Sequence, residues 1–116
     1  MQNEEQIWQM VDAKKAEFIA LSDRVFETPE TLYNEYASVA EHMIMLKSEG
    51  FRVTEGICGM PTAVMGEAGD KGPVIAILGE FDALPELSQA PGVAEPSPIE
   101  AGGNGHGCGH NLLGAA

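Results

Sequence analysis

The chain has 116 residues, 44% of them hydrophobic, with 18 acidic against 6 basic side chains and a formal net charge of −12. That hydrophobic content excludes wholesale disorder, and so acidic a balance repels phosphate backbones, which argues against a nucleic-acid partner. No apolar run approaches the ~20 residues that a membrane span requires.

The opening residues, MQNEEQIW, are acidic and lack the basic start and apolar stretch of a secretory leader. Two cysteines, Cys58 and Cys108, stand fifty residues apart and do not make a disulfide framework. Both features point to the reducing cytoplasm. Ile7, Val11, Phe18, Leu21 and Val25 recur at helical spacing and predict an amphipathic helix from about residue 3 to 26. Pro29 ends it, because the residue before a proline is pushed out of the α region.

A second helix is predicted through Val39, Ala40, Met43, Ile44 and Leu46, closed by Gly50. Ser38 and Glu41 have the spacing of a capping box, although the helix can also begin earlier, near Asn34. His42 stands alone on this helix, where a surface or packing role is expected, and Met43 and Met45 read as core filler. Past Gly50 the period changes. FRVTEGI and TAVMGE alternate as strands do, and AGDKG is a turn. Cys58, in GICGM, is expected to be a small buried or turn residue.

PVIAILGEFDAL then carries five consecutive apolar residues, 74–78, which predict a strand buried on both faces inside a sheet covered by helices. Residues 85–105 hold four of the seven prolines, with glycines and serines among them. Such a stretch inside a domain is read as a functional loop, with a flexible linker as the plainer alternative. HNLLGAA opens another helix and stops on two alanines with no cap, which suggests the first part of a longer protein. The expected fold class is α/β: two helices, then a mixed sheet with helices on its faces.

The chemistry-bearing residues gather late. GNGHGCGH places His106, Cys108 and His110 within five positions, separated by glycines that let the backbone bend. Imidazole and thiolate suit zinc and similar metals. A helix starting at NLLGAA would also favour a thiolate, so Cys108 as a nucleophile flanked by histidines stays open beside the metal reading. Glu80 and Asp82 fall at the end of the buried run, two apart on an extended chain and so on one side. They can ligate a metal or orient a ligand histidine; equally, Asp82 can cap the following turn while Glu80 is merely exposed.

GEFDALP, a loop, then GHGCGHN opening a helix resembles the amidohydrolase branch of the aminoacylase and glutamate-carboxypeptidase-like metallopeptidases, with its DMDALP strand end and HACGHD loop. FETPETLYNEY is similar to that family's HxxPELSFxE segment, so the resemblance runs from about residue 10 to 116. The Pro-rich insert and NGHGCGHNLLG are most similar to the p-aminobenzoyl-glutamate hydrolase group. The resemblance implies a zinc-peptidase-like catalytic domain, of which residues 1–116 are the N-terminal portion without the lid and dimerisation domain. It implies Cys108 and His110 as ligands of a divalent metal, zinc or manganese, as one or two ions. Asp82 would orient a ligand, Glu80 would stand where the wider family has a ligand histidine, and His106 would give local support or join the ligands. Asn111 departs from the branch's commoner aspartate, and Glu80 from its aspartate. The implied activity is hydrolysis of the amide bond of N-acyl or N-aroyl amino acids, in a homo-oligomer or heteromer. The family's Glu–Glu pair and later histidines do not occur within these residues, so the chain alone is expected to be inactive. The alternative is a metal-binding or interaction module without chemistry.

Overall fold

The computed structural model describes residues 2–116. Helix α1 (Gln2–Glu27) is followed by α2 (Tyr36–Ser48), the strands β1 (Arg52–Glu55) and β2 (Val64–Glu67), and a short α3 (His110–Ala115). The strands pair antiparallel, Arg52 opposite Glu67 and Glu55 opposite Val64, so the mixed α/β class holds, with a two-stranded ribbon as its sheet.

Only the second half of α1 packs. Leu21 and Val25 are buried against Ala115 of α3, with Met45 and Phe81 packed on this cluster. Burying each of the two large side chains is worth roughly 2 kcal/mol. Ile7, Trp8, Met10 and Val11, on the first half, are more than half exposed. Exposed ion pairs tie α1 to α2, Lys14 to Glu49 and Arg24 to Glu41, each at 2.7 Å, and such pairs contribute little.

The start of α2 corrects the capping-box expectation. Ser38 lies inside the first turn, and its hydroxyl donates to Glu30 Oε1 at 2.8 Å. The Glu30 carboxylate also accepts from the backbone N–H groups of Ala37 (2.9 Å) and Ser38 (2.7 Å). A carboxylate brought from eight residues away thus satisfies the open donors of the helix, and a charged acceptor does so better than a hydroxyl. The other end follows the sequence: Gly50 has φ +82°, and Phe51 N donates to Leu46 O while Gly50 N donates to Lys47 O, as in a Schellman ending. Cys58 sits in a one-turn 3-10 segment with φ +54° and is exposed, a turn residue and not a buried one.

Residues 74–78 correct a larger expectation. They form no strand, and Val74 and Leu78 are 97% and 90% exposed. A strand covered on both faces needs hydrogen-bonding neighbours on both edges, and among the described residues none pairs with this run. Pairing begins just beyond it. Thr31 bridges Ala83, with Ala83 N donating to Glu30 O at 2.7 Å, and Leu84 and Gly105 exchange two bonds of 2.9 Å. These bridges bring the α1–α2 connection, the end of the apolar run and the glycine-rich segment side by side.

The Pro-rich stretch is therefore a loop closed at its neck. Ser88 N donates to Gly103 O at 3.0 Å, and Ser88 Oγ accepts from the N–H groups of Ile99 and Glu100. The Gln89 side chain donates to the carbonyls of Val93 and Glu95 and accepts from Ser97 N. A loop with its ends together and its polar groups satisfied internally is an Ω-loop, and the linker reading falls.

Candidate metal centre

His110 opens α3 and meets the end of the apolar run. Its Nδ1 lies 2.7 Å from Asp82 Oδ1, and its Nε2 lies 3.4 Å from Glu80 Oε2. Glu80, Asp82 and His110 each offer a donor atom within 4.8 Å of the others. His110 and Asp82 are mostly buried, their side chains 18% and 20% exposed, whereas Glu80 is open at 68%.

The hydrogen-bond chemistry assigns the tautomer. An ionised carboxylate only accepts, so Nδ1 of His110 carries the proton that Asp82 receives. Nε2 then faces the carboxylate of Glu80 across 3.4 Å. A proton or a metal cation can bridge such a nitrogen–oxygen pair, and the donor set suits a divalent ion. A carboxylate on the far nitrogen of a ligand histidine is the usual way of fixing such a ring.

The loop carrying His110 is anchored on both sides by α1. Before it, His106 is buried and its Nε2 donates to Val25 O at 3.1 Å, which leaves Nδ1 buried without a partner. Burial lowers the pKa of His106. After it, Asn111 Nδ2 donates to Ser22 Oγ at 2.9 Å. A Cβ at Gly105 would run into the Leu87 carbonyl, so the segment enters the site by a close backbone crossing.

Of the residues singled out in the sequence, the fold thus joins Glu80, Asp82 and His110. Cys108 is exposed and its sulfur is not among these clustered donor atoms, while His106 is turned to α1. The sequence reading missed two supports, Glu30 at the head of α2 and Ser22 beneath Asn111, whereas the packing role expected of His42 holds. His42 is buried, donates from Nδ1 to Ser38 O at 2.8 Å and stacks on Phe81 with ring centroids 4.5 Å apart. A lone small polar residue at a core spacing of α1 was the only available signal for Ser22.

Glu80, Asp82 and His110 form a nitrogen–oxygen donor cluster that could hold a metal ion. No family model matches the chain. It is 45% identical over 107 residues to one of the subunits of the p-aminobenzoyl-glutamate hydrolase of Escherichia coli (strain K12), covering 91% of this chain and 22% of that protein. Thermostable carboxypeptidases 2 and 1 of Saccharolobus solfataricus are 36% and 35% identical over 90% and 84% of the chain, which spans 28% and 26% of their lengths. Over most of its length the chain is thus similar to a hydrolase subunit and to two carboxypeptidases. Its length corresponds to about a quarter of the curated relatives it matches.

Proposed function

We propose that the chain supplies the first metal-ligating residues of a metal-dependent amidohydrolase that cleaves the amide bond of N-acyl or N-aroyl amino acids, p-aminobenzoyl-glutamate-like substrates among them. The observation that carries this reading is His110 held at Nδ1 by Asp82 with its Nε2 turned to Glu80. Asp82 keeps the ring in one tautomer and one orientation. Glu80 adds negative charge on the ligand side of the ring. Cys108, exposed two positions before His110, is the further ligand that the family resemblance implies. A divalent ion, zinc or manganese, would supply polarisation of the amide carbonyl and activation of water.

Asp82 already accepts from the histidine and Glu80 is taken as a ligand, so this reading assigns no general base among these residues. Residues 1–116 alone are therefore proposed to be inactive, the base and remaining ligands coming from elsewhere in the complete protein. An assembly of more than one chain is in keeping with a relative whose name makes it one subunit of its hydrolase. The proposed compartment is the cytoplasm, in keeping with two free, exposed thiols.

The test is turnover of p-aminobenzoyl-glutamate and simple N-acyl amino acids by the complete protein, before and after chelation and with zinc or manganese restored. Hydrolysis that vanishes on chelation and returns with metal is expected. Hydrolysis indifferent to chelation but abolished by iodoacetamide would replace this reading with a Cys108 nucleophile. Stoichiometric metal without turnover of any acyl amino acid would replace it with a binding module.

A further inference from the structure

We propose that His42 is a positioning residue for the metal centre, acting through Phe81 and Gly114; this rests on the metal reading above. Phe81 lies between the two carboxylates in the chain, and the His42 ring stacks on it at 4.5 Å with 24° between the planes. On the other side stands Gly114, one turn beyond His110 on the same face of α3. A Cβ there would lie 2.8 Å from His42 Nε2, 2.9 Å from Glu80 O and 3.1 Å from Phe81 Cβ. One buried ring on α2 therefore touches both pieces that carry the donor atoms and sets the gap between them.

The ring is itself held. Its Nδ1 donates to Ser38 O, and Ser38 is held by Glu30. Nε2 is buried with no hydrogen-bond partner. A buried nitrogen without a partner is a cost that an apolar residue at this position would not carry. What the residue adds is a flat ring stacked on Phe81. Loss of that ring lets the 80–82 segment move relative to α3, and the approach of Glu80 and Asp82 to His110 loosens.

The experiment titrates the complete protein with cobalt(II), followed by its visible absorption and by chelator competition, with the melting temperature of the metal-free protein and kcat and KM recorded alongside. His42→Ala also opens a cavity, so Phe81→Leu, which removes the stack while keeping most of the volume, is measured beside it. Both are expected to weaken cobalt binding about tenfold, the usual scale for removing support behind a metal ligand. The double variant should be no weaker than the singles, because the two rings form one contact. His42→Phe, which keeps the stack, should return to within about threefold of the parent, with kcat recovering more than KM. Parent-like cobalt affinity in His42→Ala and Phe81→Leu overturns the inference alone, as does a His42→Phe variant as weak as His42→Ala. A parent protein that binds no cobalt overturns the metal reading, and this inference with it.

Discussion

Asn111 and Ser22 lie 89 positions apart and meet in a buried hydrogen bond of 2.9 Å, Asn111 Nδ2 donating to Ser22 Oγ, with the Ser22 carbonyl 3.4 Å from the same nitrogen. This contact seats α3 on α1 directly beside His110. Asn111 is not replaceable by a pure acceptor, because a carboxylate there could only receive the serine hydroxyl and would face the Ser22 carbonyl unfavourably. Asn111→Asp and Ser22→Ala are each expected to cost about 1–3 kcal/mol, the penalty for an unsatisfied buried polar group. Urea unfolding of the complete protein measures it, and midpoints equal to the parent would show that this contact does not hold α3 in place.

Asp82 fixes the tautomer of His110. Asp82→Ala should therefore lower metal affinity about 10–100-fold, with a parallel fall in turnover. Zinc competition titration reads the affinity. An unchanged value would mean that His110 is oriented by something else.

Cys108 is the residue on which the family resemblance and the observed donor cluster part company. As a ligand, Cys108→Ala should remove metal and activity together, as should His110→Ala. Metal content by atomic absorption decides it: full occupancy and full activity in Cys108→Ala would leave Glu80, Asp82 and His110 as the donor set. Iodoacetamide should then leave metal content and activity unchanged.

Gly105 allows a backbone crossing over Leu87 that no side chain can share. Gly105→Ala must displace the neck of the Ω-loop, breaking the reciprocal bonds between Leu84 and Gly105. A loss of about 2 kcal/mol or more is expected, the scale of overpacking. Limited proteolysis within 85–104, faster in the variant, is the direct readout.

Acid should weaken the fold through its buried histidines. Burial is the largest influence on His42 and on His106 and lowers both pKa values from 6.5. The unfolded chain then binds more protons than the folded one below about pH 6.5, so stability is full above that value and falls as pH drops through it, until the folded histidines also protonate. Melting temperature measured from pH 7.5 down to 5.5 should decline, and the acid limb should flatten in His42→Phe. A parent profile that is flat across this window would show that the folded protein protonates these rings as readily as the unfolded chain.

Much of the local structure was legible from spacing. Both long helices, the turn at Gly50 and the ribbon of β1 and β2 follow from periodicities of 3.6 and 2 and from Pro and Gly punctuation, which act within a few residues of themselves. The late clustering of Glu80, Asp82 and His110 was also visible as residue types, because two carboxylates two apart share one side of an extended chain. The run at 74–78 was not, since burial of a strand depends on neighbours far away in sequence and its apolar composition reports only a demand for them. Nor could spacing say that His110 and not Cys108 would meet the carboxylates, or that Ser22, His42 and Glu30 would brace the site. Those facts depend on contacts across 28 to 89 positions or on a carboxylate arriving from outside its helix. Sequence periodicity determined which segments could be helix or strand; only the packing of α1, α2 and α3 decided which side chains face one another, because that is set by long-range burial and not by local preference.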